Sequence, residues 1–321
     1  MLLTFEEVKK KIEDGLLLHI SGTEELIRQL PKGNWIGGST EYFMSHEGGK
    51  VSGEHLFVTQ FDNSNFKVNT YDTTNIERVA EDTFDHGFSI LIMPYESPVH
   101  AVYAEHASSY KDMFLKNVVG WISGMNLGNP NQTPIVVNGT TGEVLTDKAV
   151  SLSLEFPEDK VVSVNIINIF SEDENLPIIK FNKSGYEAKT CLVDGKETLL
   201  ADYIKEVGFN IQNPIIGDYS GAKINTAINR IEDDGQVLFA APVFEDIDYR
   251  LSTHVTDYPK TFTEHFKGID ETKIAFSVNC LFNFLYGQLE GKETGTFFGP
   301  VVFGEIAYQL VNQTLVYVRV D

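Results

Sequence analysis

Two glutamates, each following a glycine in similar surroundings, are the first residues here with chemistry to offer. Gly142-Glu143-Val144 precedes the alternating segment Val150-Ser151-Leu152-Ser153-Leu154, and Gly304-Glu305-Ile306 precedes Thr314-Leu315-Val316-Tyr317-Val318. A looser relative, Gly37-Gly38-Ser39-Thr40-Glu41-Tyr42, lies ahead of Leu56-Phe57-Val58-Thr59. Glycine lets two backbones approach closely. A carboxylate at that approach could grip an ammonium group, or it could satisfy backbone N–H groups of its own turn. A repeated acidic turn suggests two related halves facing one shared site.

Cys280, preceded by Asn279, falls at a strand-to-helix turn. A helix N-terminus there would lower the thiol pKa, and a nucleophile would further need a base within reach. The eight histidines are scattered and no spacing selects one; an inert buried thiol is the alternative reading. His100 and His106 share an expected helix but face different ways. The chain has no His-Glu-x-x-His or Cys-x-x-Cys pair, no phosphate loop and no dinucleotide-binding glycine pattern. No catalytic residue, metal or cofactor is therefore expected.

The 321 residues suffice for one large or two medium domains. A net charge of -21, from 46 acidic and 25 basic residues, repels phosphate backbones and anionic lipid surfaces. Nucleic acid and membrane are excluded as expected partners, and a cationic or zwitterionic ligand is allowed. The N-terminus carries no basic segment followed by an apolar run, and no stretch reaches the ~20 apolar residues of a membrane span. Two cysteines make no disulfide framework. These features predict a cytoplasmic location.

The elements that must position these residues read as follows. Thr4 and Glu7 form a capping box for a helix over 5–14. Leu16–Ile20, 34–43, 55–61 and 66–71 read as strands. Thr74 to Glu77 caps a helix to about 83, and Phe88–Met93 is a central apolar strand. Ser97-Pro98 starts a helix running to about 113. Residues 118–123 return as a strand, and 124–134, rich in Gly, Asn and Pro, form a loop. Later strands fall at 135–138, 149–156, 161–170, 223–231, 236–241, 274–280, 296–303 and 313–320. Asp233-Asp234-Gly235 marks a hairpin, and Thr261 to Glu264 caps a short helix. Trp35 and Trp121, each in a strand ahead of a glycine turn, read as equivalent positions lining a pocket or as core. The fold class is α+β: mixed or antiparallel sheets backed by helices, in two related lobes.

Three stretches together resemble the FIST family. Val193-Asp194-Gly195-Lys196 with the following helix to Gly208 is similar to that family's strand, turn and tyrosine-bearing helix. Asp233-Asp234-Gly235 through Ala241-Pro242-Val243 resembles its aromatic hairpin. Phe303-Gly304-Glu305-Ile306 followed by Asn312-Gln313-Thr314-Leu315 resembles its C-terminal signature, and the Gly37 and Thr140-Thr141-Gly142-Glu143 turns resemble those of its N-terminal domain. The resemblance spans about 20–320. It implies an N-terminal-like domain over 1–184, a C-terminal-like domain over 185–321, and a sensory role in binding amino acids or other small polar metabolites. Glu305, Gly304, Asn279, Cys280 and Glu143 are the expected lining of the ligand cleft, with a separate signalling protein as partner. One departure stands out: the family leads from this cysteine into Gly-Arg, whereas here Leu281-Phe282 follows, leaving no arginine to clamp a carboxylate. The alternatives are a hydrolase using Cys280 and a scaffold with a vestigial pocket.

Overall fold

The first helix, Phe5–Glu13, forms where the capping box predicts it: the Glu7 carboxylate accepts from the Thr4 backbone N–H at 2.9 Å and from its hydroxyl at 2.7 Å. Its apolar stripe, Val8 and Ile12, is buried with Ile27 of the short helix Glu24–Arg28. Both pack on Leu18, Ile20, Trp35, Leu56, Val58, Ile135 and Val137. Those residues alternate along strands of one sheet, as a period of two requires. The computed structural model describes every residue except Asn63, Ser64, Pro130, Lys267, Gly268 and Asp270, and only the backbone of Glu271. Pro130, in the expected loop 124–134, thus lies outside the described residues.

The chain forms two compact units. The first comprises Met1–Ile167, Phe266–Leu310 and Leu315–Asp321; the second comprises Asn168–His265 with Val311–Thr314. These units do not follow a single cut between 184 and 185. The reason is strand pairing: Leu315–Val320 lies between Val162–Ile167 and Ile274–Cys280 in one sheet, antiparallel to both, so late residues complete the first unit.

Three sheets build the first unit. In the first, Leu2–Leu3, Leu56–Phe61, Leu17–Gly22, Trp35–Ser39, Val136–Asn138 and Glu143–Leu145 are neighbours in that order. In the second, Glu305–Ala307, Val118–Ser123, Gly87–Pro94, Ala149–Glu155 and Phe66–Tyr71 follow one another. The third orders Val162–Ile167, Leu315–Val320, Ile274–Cys280, Gly299–Val302, Tyr42–Ser45 and Gly48–Val51. Each contains one parallel pair among antiparallel ones: Leu17–Gly22 with Trp35–Ser39, Gly87–Pro94 with Val118–Ser123, and Ile274–Cys280 with Gly299–Val302. The α+β class with mixed and antiparallel sheets is therefore observed.

The face of the first sheet turned away from its helices meets the second sheet. Gly38 marks how closely: a methyl group there would lie 2.8 Å from Cη2 of Trp121 and 2.9 Å from Cγ2 of Ile92. The far face of the second sheet carries a file of buried hydroxyls, with Thr83 bonded to Ser89 at 2.6 Å and Ser89 to Ser153 at 2.5 Å. The helix Pro98–His106, capped by Ser97, packs on the strand Gly87–Pro94. The first unit is thus layered helix, sheet, sheet, helix, with the third sheet supplying Phe276 against His19.

The second unit has its own core, in which Phe181, Phe239, Tyr249, Leu251, Ile204 and Cys191 are buried together. The expected hairpin at Asp233-Asp234-Gly235 is present, with Ile231 paired to Val237. Other expectations shift. The strand 34–43 is two strands in different sheets, Trp35–Ser39 and Tyr42–Ser45. The region after Thr74 is a 3₁₀ turn, Ile76–Arg78, and a one-turn helix, Val79–Asp82, because Asp72 takes the Thr74 N–H and hydroxyl. The helix assigned to Thr261 starts earlier, at Tyr258, capped by Asp257 with Pro259 in its first turn. The helix from Pro98 gives way to 3₁₀ turns after His106.

Candidate functional site

The five residues expected to line a cleft all lie in the first unit, in or beside strands of three different sheets. Glu143 is exposed at the start of the edge strand Glu143–Leu145, and its carboxylate accepts the Thr141 hydroxyl at 3.0 Å. Glu305 is fully buried (0% exposed) beside Trp121 in the second sheet, its register partner. One carboxylate faces solvent at the rim of one sheet and the other is sealed inside. The Gly304 carbonyl accepts from Ile122 N–H at 2.9 Å, and a methyl group on its Cα would meet Leu310 and Ile122.

Asn279 and Cys280 end the strand Ile274–Cys280. Asn279 Oδ1 accepts from Asn283 Nδ2 at 3.0 Å across the first turn of the helix Leu281–Tyr286. Cys280 does stand at a strand-to-helix turn, as expected, capping the helix that begins at Leu281, but the residue is 2% exposed. A hydrolase needs a thiolate that substrate can reach, so this position weakens that reading. Trp35 and Trp121 are not equivalent. Trp35 packs on the helix side of the first sheet and donates to the Pro31 carbonyl at 2.9 Å, whereas Trp121 points between the sheets and donates to Nε2 of His19 at 2.9 Å. Among the described residues no group of three or more His, Cys, Asp or Glu side chains could hold a metal ion.

The third glycine-led turn builds a site instead. Where Trp35–Ser39 ends, Thr40 N–H bonds the Gly22 carbonyl at 2.8 Å and its hydroxyl donates to the Val301 carbonyl at 2.8 Å. That fixes Glu41 at the passage from the first sheet to the third. The Ser39 hydroxyl donates to the Gly124 carbonyl at 2.8 Å and accepts from Ile135 N–H at 3.0 Å. It thereby ties together both ends of the loop 124–134. Two amides of that loop then close on Glu41: Asn126 Nδ2 donates to Oε2 at 2.6 Å and Gln132 Nε2 to Oε1 at 3.0 Å. Leu127 N–H bonds the Tyr42 hydroxyl at 3.1 Å and Thr133 N–H bonds Glu24 at 3.4 Å.

Thr23, Glu24, Ser39, Thr40, Glu41 and Gln132 border a narrow cleft under this loop. It lies at the C-terminal ends of the parallel strands Leu17–Gly22 and Trp35–Ser39. Its free space is ≈ 10 Å³, room for about one water-sized sphere. Glu24 is paired with Arg28 at 2.6 Å. Glu41 is 9% exposed and, among the described residues, meets neutral amides but no cation within salt-bridge distance. Neutral donors satisfy its oxygens while leaving its charge uncompensated in a partly dry place.

The fold and this cleft define an α+β protein whose first unit holds two carboxylates under a loop, Glu24 paired with Arg28 and Glu41 held by neutral amides. The chain belongs to the family of unknown function DUF6976, whose model matches residues 3–321. No curated protein matches the chain.

Proposed function

We propose that this protein is a cytoplasmic receptor for a small polar metabolite bearing an ammonium group, which it holds at Glu41. The observation carrying the reading is the buried carboxylate with hydrogen bonds but, among the described residues, no counter-ion. A cation entering the cleft supplies the missing charge, and the hydroxyls of Thr23, Ser39 and Thr40 border its path. The small volume admits a head group, with the body of the metabolite left outside or the loop lifted. Seating the head rearranges the Asn126 and Gln132 amides that bond Glu41, and a separate signalling protein reads the changed loop surface. The resemblance to FIST proteins, whose expected ligands include amino acids, supports the same class.

A melting screen over amino acids and polyamines tests this. A true ligand at a hundredfold excess over its dissociation constant stabilises the fold by ~2.7 kcal/mol, a saturable rise in Tm. The variant Glu41→Gln loses that rise, while Glu143→Gln, at an exposed strand edge, keeps it. Equal responses in both variants, or no response to any ammonium compound, reject the assignment.

A further inference from the structure

The layer between the first two sheets holds polar groups that the cleft at Glu41 does not use. His19 and Ser21 project from one face of Leu17–Gly22, two residues apart, and Trp121 and Ser123 do so from Val118–Ser123. The indole N–H of Trp121 donates to Nε2 of His19 at 2.9 Å. An indole can only donate, so a neutral His19 ring carries its own hydrogen on Nδ1. That N–H, the Ser21 hydroxyl and the Ser123 hydroxyl have no hydrogen-bond partner among the described residues, and all three side chains are 0% exposed.

These groups stand at successive levels. His19 meets Trp121 at the deeper one. Ser21 is the register partner of Gly38, and the Cβ position of Gly38 lies 3.2 Å from Cβ of Ser123, so the two serines share the next level up. The next residues along, Thr23 and Gly124, border the cleft at Glu41. Buried polar groups in folded proteins are almost always bonded, to protein or to ordered water, and an internal water bonds about three such groups. Three hydrogen-bonding groups spaced along one layer suit that occupant.

We propose that an internal hydration site lies between the two sheets, where ordered water bonds Nδ1–H of His19 and the hydroxyls of Ser21 and Ser123 below the Glu41 cleft. The site stands whether or not a cation binds above it. A high-resolution crystal structure of the wild-type protein is the direct test. It is expected to show water at about 2.6–3.2 Å from His19 Nδ1 and from at least one of the two serine hydroxyls. A second measurement uses Ser21→Ala and Ser123→Ala in urea denaturation. Removing a water-bonded hydroxyl lowers the unfolding midpoint, whereas removing an unbonded one raises it. Dry density at all three groups, or midpoints that rise in both variants, overturns the proposal. Loss of the cation-induced Tm rise in Glu41→Gln leaves it untouched, so the two readings fail separately.

Discussion

His19 is the residue whose burial has the plainest energetic consequence. Desolvation, with a smaller contribution from the N-terminal charge, lowers its pKa from 6.5 to about 3, and desolvation takes His100 from 6.5 to about 4. Both rings are thus neutral in the folded chain where the unfolded chain protonates them. The stability this protects is fully present above about pH 6.5 and is lost as the pH falls toward the folded values, because the unfolded state binds more protons. Each ring contributes a slope approaching ~1.4 kcal/mol per pH unit in that window. Urea denaturation at pH 7, 6 and 5 should show stability falling with a proton uptake above two, because the buried Met1 amine, lowered from 8.0 to about 5, also takes up a proton on unfolding. His19→Gln should remove about one of those protons; an unchanged slope in that variant means the ring is charged or exposed. Little of this is legible in the sequence, where eight histidines look alike. The same holds for Glu41. It stands in a glycine-led turn like Glu143 and Glu305, and only its place in a cleft, under the amides of Asn126 and Gln132, sets it apart.

Elements explain why the acidic turns show in the sequence and their separation does not. Alternation along a strand shows in sequence, so Val150–Leu154 and Leu315–Val318 fall inside observed strands, Ala149–Glu155 and Leu315–Val320. Which sheet a strand joins depends on partners far along the chain. Glu305 pairs with the Trp121 strand and Glu143 with Asn138, in different sheets, a separation that no local pattern encodes. Trp35 and Trp121 diverge for the same reason: Trp35 stands on the helix-covered face of the first sheet, whereas Trp121 belongs to the second sheet and faces the first. Gly38 is the element-level contact most open to test. Its backbone is not in the left-handed region, so a methyl group meets trouble from side chains across the gap, Trp121, Ile92 and Ser123 nearest. Gly38→Ala should therefore push the sheets apart and lower stability by ~1–3 kcal/mol, the usual range for overpacking. Trp121 fluorescence should shift with it. A variant as stable as the wild type, with unchanged emission, would mean the two sheets are loosely apposed.

At the scale of the whole molecule the governing quantity is the net charge of -21. Self-repulsion opposes compactness, and the ion pairs that relieve it, such as Lys180 with Asp248 and Lys273 with Asp321, are largely exposed and individually weak. The same field draws cations toward the surface. Salt acts on both through one screening length, ~10 Å at 0.1 M, but with opposite signs. Raising sodium chloride from about 0.01 to 0.1 M weakens the repulsion, so Tm of the free protein should rise. Over that range the affinity for an ammonium ligand should fall, more steeply for a polyamine than for a singly charged amine, because each added charge feels the field. The experiment is one set of melts along a salt series, with and without ligand. A Tm that falls with salt would mean that attractive pairs outweigh the repulsion. A ligand affinity indifferent to salt would place binding beyond the reach of the surface field, with Glu41 supplying the attraction alone.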